Sequence, residues 1–467
     1  MRNLQELIYS KSPVPIQNLI VSSYGNILAR KKYTSHFKET LQEIEKSERF
    51  DKKVVDELQL KQLRQLVKYA YENVPYYNSK FKANGIAPDV IQTIDDIKKI
   101  PILTKEEIRA NSDKLISSRY SRFGYDIHHT SGTTGTALSI VWSKDATMKE
   151  YAFVERIRRR TGDLNSTKTH ITFGGRLIVP LDQKGPPFWR VNRSENQYLF
   201  SMHHLKDKNL PCYIKKIREL KPWYIEGYPS LVYVVAEYMI KNSEKPIPLK
   251  GIFTSSETLL AYQRRSIEKA FHCKVFDRYG STELAASMGE CELGGLHIDS
   301  EYGIIEFLEN NEEVSQNEVG EMVCTNFINP AFPLIRYKVG DIAKPTSDLC
   351  SCGRTLPLVK EVIGRIDDVL ITKNGAYLGR LDHIFKETIH IKESQIIQES
   401  IDRVIVRIVP RIGYSNKDSS YLLDEFRKRL GDNMEIEIEF VNSIHRQNSG
   451  KFKAVISKVK MPLNDRQ

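Results

Sequence analysis

The sequence predicts an α/β protein of two lobes, a large one over residues 1–363 and a small α+β one over 364–467. Three observations carry that reading. The first 120 residues read as mostly helical; strand-like and helical runs alternate from about Tyr125; and the last hundred hold a strand–helix–strand unit. In the leading stretch, LQLKQLRQLVKYAYENV spaces its apolar residues helically up to Pro75. ILTKEEIRANSDKLI opens on Thr104 with Glu107 three places on, the two halves of a capping box. SIVW, HITFGG, KVFDRY and GIIEFL then read as strands, and SLVYVVAEYMIKN as a helix behind Pro229 and Ser230. Their alternation predicts a mostly parallel sheet. In the small lobe IDRVIVRIVP is a strand, YLLDEFRKRL a helix ended by Gly431, and EIEIEF a strand with one solvated face. KFKAVISKVK reads as a basic edge strand.

Composition narrows the class. With 40% hydrophobic and 28% charged residues over 467 positions, the chain is neither disordered nor fibrous. Its 70 Lys+Arg against 59 Asp+Glu leave +11, but the excess is spread out: residues 364–467 carry 18 against 15. A nucleic-acid footprint is clustered, so no nucleic-acid partner is expected. No apolar run approaches the roughly 20 residues of a membrane helix, and Glu6, Lys11, Pro13 and Pro15 interrupt any signal-peptide core. Six cysteines in a chain this long do not form a disulfide framework, so a cytoplasmic location is expected.

Five segments carry candidate chemistry. Thr130-Ser131-Gly132-Thr133-Thr134-Gly135 offers hydroxyls and close backbone approach to phosphate oxygens, or is a solvated hairpin. It lacks the spacing of a P-loop. In Arg278-Tyr279-Gly280-Ser281-Thr282-Glu283, Thr282 suits a phosphate and Glu283 a Mg2+ ion; the alternative is a capped helix start. Asp341, after Gly340, suits a pair of ribose hydroxyls. Gly364-Arg365-Ile366-Asp367-Asp368 falls at the lobe boundary, and Lys451 follows Gly450 in a loop near the end. Each alone reads as a surface turn; the ordered set points to one site. Separately, Cys291, His297, Cys350 and Cys352 fit a closed structural Zn2+ site, or are reduced, partly buried cysteines. Cys212, Cys273 and Cys324 are assigned to the core. The pairs His128-His129 and His203-His204 are not read as metal ligands, and a pocket role is given to His129. Gly174 and Gly175, ahead of Arg176, are placed at the border of the cleft.

In this order the five segments resemble the adenylate-forming superfamily of acyl-CoA synthetases. More narrowly, SPVPIQNLIVSSYG, LVKYAYENVPYY, IEGYPSL, CELGGLHI and CSCGRTLPLVKEVIGRIDDVL resemble the phenylacetate-CoA ligase branch and its CapK-like members, associated with bacterial capsular polysaccharide synthesis. The resemblance covers nearly the whole chain. It implies that residues 130–135 hold the β- and γ-phosphates of ATP, and that Thr282 touches the α-phosphate, next to Tyr279, Gly280 and Ser281. Glu283 then ligates Mg2+, and Asp341 binds the ribose with Arg365 nearby. Asp367 becomes the hinge of a mobile lid domain, and Lys451 the catalytic cation. Ser255, Ser256 and Glu257 line the adenine and acyl pocket, with Tyr228 as a wall. The implied reaction joins a carboxylate to the α-phosphate of MgATP and passes the acyl group to CoA or to an amine. Similar Cys/His sets occur in the branch. The rival readings are a nucleotidyltransferase that stops at AMP transfer and a catalytically silent scaffold. One departure stands out: Gly135 is followed by Thr136-Ala137-Leu138, where many members have Gly-x-Pro-Lys.

Overall fold

The computed structural model describes residues 4–130, 138–162, 164–365, 370–371, 377–378, 390–430, 433–446 and 452–459. As expected, the leading part is helical: α1 (Leu4–Lys11), α2 (Val14–Lys32), α3 (Phe37–Ser47), α4 (Lys52–Asn73), α5 (Pro75–Ala83) and α6 (Lys105–Asn111). Pro75 both stops α4 and starts α5. It holds Val74 extended at φ −116° and lacks an N–H, which is no loss at the first helical position. The capping box of α6 is present: Thr104 N–H donates to Glu107 Oε2 at 2.9 Å, and Glu107 N–H to Thr104 Oγ1 at 3.2 Å.

Strands β1 (Tyr125–His129) and β2 (Ser139–Ser143) form a separate antiparallel hairpin, followed by α7 (Lys144–Arg160). The main sheet begins with β3 (His170–Gly174), β4 (Trp189–Asn192) and β5 (Gln197–Ser201). Then α8 (Leu210–Leu220), β6 (Tyr224–Gly227), α9 (Pro229–Lys241), β7 (Gly251–Ser255), α10 (Ala261–Phe271) and β8 (Val275–Gly280) alternate. From there strands run on: β9 (Ser287–Glu290), β10 (Leu296–Ile298), β11 (Gly303–Glu309), β12 (Glu312–Glu313), β13 (Gly320–Asn326), β14 (Tyr337–Thr346) and β15 (Leu358–Arg365). The thirteen strands lie in the order β12-β11-β13-β14-β15-β10-β9-β8-β7-β6-β3-β5-β4. In this sheet, among the described residues, only β5-β3-β6-β7-β8 pair in parallel. The expected mostly parallel sheet is therefore a mixed one. A strand pattern does not encode pairing direction; crossover helices do, and none lies between β8 and β15.

Two cores back the sheet. Leu63, Tyr77 and Phe81 pack on Met322, Cys324 and Tyr337, while Val232, Val235 and Ile267 of α9 and α10 pack on Ile171, Ile225 and Ile252. Cys212 and Cys273 pack against the second core, in line with their assignment. Between α3, α7 and the β10–β11 connection lies a buried ionic network. Arg156 and Arg160 of α7 share Asp299 at 2.7 and 2.6 Å; Arg156 also reaches Glu301, and Arg160 reaches Glu48. Such pairs are costly to break singly, because the survivor is a buried, uncompensated charge.

After β15 come the pair β16 (Leu370–Ile371) and β17 (Tyr377–Leu378). A second sheet, ordered β20-β19-β18-β21, follows from β18 (Ile391–Ser400), β19 (Arg403–Pro410), β20 (Glu435–Phe440) and β21 (Val455–Ser457). Helix α11 (Asn416–Leu430) sets Leu422 and Phe426 on Val404, Val406 and Ile408. This is the small α+β domain, with β21 as its basic edge. Gly364 and Arg365 still pair with β14, so the proposed 363/364 boundary falls within the last residues of strand β15. Among the described residues no helix is long and apolar enough to cross a membrane.

Candidate active site

A cavity of about 1330 Å3 opens between the two domains. Its walls come from α2 (Tyr24, Leu28), the β1–β2 hairpin, the turns after β7 and β8, strands β14 and β15, and Ile396 and Phe452–Val455 of the small domain.

The hydroxyl- and glycine-rich segment starts at Thr130, directly after β1 in the chain. Thr130 N–H donates to the Leu138 carbonyl at 3.0 Å and Leu138 N–H to Thr130 Oγ1 at 2.9 Å. Thr130 lines the cavity. Ser131, Gly132, Thr133, Thr134 and Gly135 lie outside the described residues. Trp142 of β2 donates from Nε1 to the Thr282 carbonyl at 2.8 Å, tying the hairpin to the next motif. His128 stacks on Trp142 with ring centres 4.3 Å apart and lines the cavity, whereas His129 faces Ser139 Oγ at 3.1 Å. The pocket position expected for His129 therefore belongs to His128, because successive side chains of a strand point to opposite faces. His204 pairs with Ser201 and stacks on Phe188, as a core histidine does.

Tyr279, Gly280, Ser281, Thr282 and Glu283 all line the cavity. Residues 281–286 form a turn between β8 and β9, so the capped-helix alternative drops out. The Tyr279 hydroxyl donates to Asp341 Oδ2 at 2.5 Å. Burial, then the neighbouring carboxylate, pushes the Tyr279 phenol well above its ordinary range, so it keeps its proton and stays a donor. Asp341 faces Arg365 across β14 and β15. Glu283 is buried; its contact among the described residues is the Tyr337 hydroxyl at 3.3 Å. A buried carboxylate so lightly occupied suits a hard cation.

Behind β7, Ser256 adopts φ +70°, outside the comfortable range of a side-chain-bearing residue, and turns Glu257 into the cavity. Glu257 Oε2 accepts the Ser230 N–H at 3.1 Å, and Oε1 accepts the Phe452 N–H at 2.6 Å. Burial pushes the Glu257 carboxyl above its usual range. Of the expected wall residues, Ser256 and Glu257 line the cavity, while Ser255, Tyr228, Gly174 and Gly175 stand outside its lining; their neighbour Arg176 lines it. A Cβ on Gly227 would fall 2.5 Å from the Phe173 carbonyl, a closeness that lets Tyr228 N–H donate there at 3.2 Å. Asp367 and Lys451 lie outside the described residues, as does the Arg365 side chain.

Cys291, His297, Cys350 and Cys352 converge, with ligand atoms within 4.8 Å of one another. The β9–β10 hairpin supplies the first two and the turn before β15 the others. Cys291 Sγ and Cys350 Sγ are 3.6 Å apart, far beyond the ~2.05 Å of a disulfide, and Cys352 Sγ is 3.4 Å from His297 Nε2. A tetrahedron with Zn–S ~2.3 Å and Zn–N ~2.0–2.1 Å has edges of about 3.5–3.8 Å. His297 Nδ1 faces the Leu356 carbonyl at 3.1 Å, which leaves Nε2 toward the thiols, and burial keeps the ring neutral. A Cβ on Gly295 would lie 2.8 Å from Cys350 Sγ, so any larger residue there would have to displace the thiol. Chemistry and spacing both suit zinc. Gly294, Gly295 and Leu296 of the same hairpin line the cavity, so the cluster braces its wall.

Sequence reasoning missed three groups. Arg278 lines the cavity and donates to Glu150 of α7 at 2.5 Å; the residue stands in a quoted motif but received no role. Helix α2 contributes Tyr24, Leu28, Lys31 and Lys32, with Lys31 paired to Asp126 at 2.6 Å and Lys32 to Glu195 at 2.7 Å. Glu257 was legible only as pocket lining, not as a contact to the small domain.

A family model, the CapK C-terminal domain, matches residues 370–458. Protein CapK of Staphylococcus aureus is 30% identical over 461 residues, 97% of this chain and 99% of that protein. The phenylacetate-coenzyme A ligase of Thermus thermophilus is 24% identical over 341 residues, 68% of this chain and 71% of the ligase. A 2-hydroxyisobutyryl-CoA ligase, solved in the postadenylation state with R3-HIB-AMP, superposes with a TM-score of 0.69 at 21% identity. The match covers 86% of this chain and 90% of that one, and is a likeness of fold. The near-complete span shared with Protein CapK, together with the matching small domain, means that the chain belongs to the CapK family.

Proposed function

We propose that the protein is an ATP-dependent adenylate-forming ligase that activates a small carboxylic acid as acyl-AMP and then passes the acyl group to a nucleophile. One observation carries this reading: Tyr279, Thr282, Glu283 and Asp341 open on the same cavity as Phe452–Val455, directly after Lys451 in the chain. Asp341, oriented by the Tyr279 hydroxyl, receives the ribose; Thr282 and the 130–135 loop receive the phosphates. Lys451 neutralises charge where the carboxylate meets the α-phosphate. The barrier there is repulsion between two anions, so a cation placed on the developing charge contributes most of the rate. Mg2+, held by Glu283, would supply further charge neutralisation when bound. A hinge at Asp367, just beyond the 363/364 boundary, lets the small domain close for activation and reopen for the acceptor. In this reading Zn2+ at Cys291, His297, Cys350 and Cys352 is structural.

The acceptor is a thiol, CoA, or an amine on a sugar precursor. The names of the phenylacetate-coenzyme A ligase relatives favour the first, and membership of the CapK family favours a role in surface-polysaccharide synthesis in the cytoplasm. ATP–pyrophosphate exchange across a panel of aromatic, aliphatic, hydroxy and amino acids tests the first half-reaction. Exchange that depends on one acid class is expected; a protein that binds ATP yet exchanges with none of them would overturn the proposal. Mass spectra with CoA or amino sugars then separate ligation, which frees AMP, from nucleotidyl transfer, which leaves AMP on the product.

A further inference from the structure

The contacts of Glu257 extend beyond the pocket lining. Its two carboxylate oxygens hold backbone N–H groups from different domains: Ser230 in the first turn of α9, and Phe452 of the small domain. Phe452 directly follows Lys451. Within the small domain, Arg446 donates to Glu393 at 2.8 Å and stacks 4.3 Å from the Phe452 ring. A second contact lies further along α9, where Arg411 donates to Glu237. Glu237 is itself fixed by the Ser266 hydroxyl at 2.8 Å. Helix α9 and the turn carrying Glu257 thus form the platform on which the small domain rests.

We propose that Glu257 is a positioning residue: it docks the Phe452 backbone on the large domain and so holds the segment carrying Lys451 at the cavity during adenylation. The proposal rests on the adenylate-forming reading for the role of Lys451, while the docking itself does not. A backbone donor is held irrespective of side chain, so the docking fixes chain position and leaves Lys451 free to reach the reacting atoms. A carboxylate can accept from both N–H groups at once. A glutamine cannot, because its amide nitrogen would face one of them as a second donor.

The test compares wild type with Glu257→Gln and, away from the cavity lining, Arg411→Glu, which sets two carboxylates against each other. Hydrogen exchange at the Phe452 amide, read by NMR or in a peptide that begins several residues before Phe452, reports the docking without any activity. Faster exchange is expected in both variants, and an unchanged rate in Glu257→Gln overturns the contact. With an acid that supports wild-type pyrophosphate exchange, turnover should fall about 10-fold or more in Glu257→Gln and severalfold in Arg411→Glu, while in Arg411→Glu, away from the cavity lining, ATP affinity and stoichiometry stay within about twofold. Combining Arg411→Glu with Glu237→Arg should restore most of the loss seen in Arg411→Glu alone. A parallel loss of ATP binding and turnover in Arg411→Glu would assign the interdomain contacts to general structure and overturn the positioning role. Wild-type protein that exchanges with no acid sinks the adenylation reading instead, and the amide measurement still decides the docking.

Discussion

The Tyr279 hydroxyl donates to Asp341 Oδ2 at 2.5 Å and so joins the end of β8, which leads to Thr282 and Glu283, to the strand that faces Arg365. A buried phenol that holds its proton presents one fixed donor, which orients the carboxylate that the proposed function assigns to the ribose. Asp341→Ala should therefore weaken ATP binding about 10–100-fold, the scale of losing hydrogen bonds to a charged group. Tyr279→Phe should weaken it less. Titration calorimetry with ATP and with 2′,3′-dideoxy-ATP separates the causes: the dideoxy compound should bind the Asp341→Ala variant and wild type alike. A large loss for both nucleotides would place Asp341 elsewhere.

Lys451 is assigned to the chemical step and not to nucleotide capture. Lys451→Ala should lower ATP–pyrophosphate exchange roughly 10²–10³-fold, with ATP affinity changed by no more than a few-fold. Stopped-flow detection of acyl-AMP, alongside equilibrium ATP binding, checks both halves. Wild-type adenylation speed in this variant would remove the assigned role.

The Cys/His cluster should hold about one Zn2+ per chain, measured by elemental analysis of protein purified without chelator. Cys350→Ser should lose the metal and lower the melting temperature. Gly295→Ala should do the same for a steric reason, since its methyl would sit 2.8 Å from Cys350 Sγ. Folded wild-type protein with no bound metal would reject the site.

Acid should weaken the strand that leads into Gly227 and Tyr228. Burial alone would raise the Glu226 carboxyl, but the Arg158 guanidinium, with His170 and the Thr172 hydroxyl, outweighs it and holds the group at about 2. A lowered carboxyl contributes its stability above the ordinary value of 4.5, and that contribution is lost as pH falls from there toward 2. Glu226→Gln should cost roughly 2 kcal/mol near neutrality and flatten the decline between pH 5 and pH 2, read by thermal melts at stepped pH. An equally steep decline in the variant would assign the acid lability to another group.

The elements that depend on neighbours in sequence were readable without the fold: the capping box at Thr104 and Glu107, the break at Pro75, the alternation of EIEIEF, and the ordered motifs from Thr130 to Lys451. Their signals are local, because capping, proline geometry and strand alternation are set within a few residues. Direction of pairing was not readable. The mixed sheet arises where strands join without crossover helices, and a strand pattern is the same in either orientation. Nor was it readable that His128 and not its neighbour faces the cavity, that α2 walls it, or that Arg278 finds Glu150 on α7. The sequence by itself determined which chemical groups this protein carries and the family whose site they match. Only the tertiary structure decided which of them meet: Tyr279 with Asp341 across 62 positions, Cys291 and His297 of one hairpin with Cys350 and Cys352, and Glu257 with Phe452 across 195. Contacts of that span are fixed by packing and loop closure, which no local pattern records.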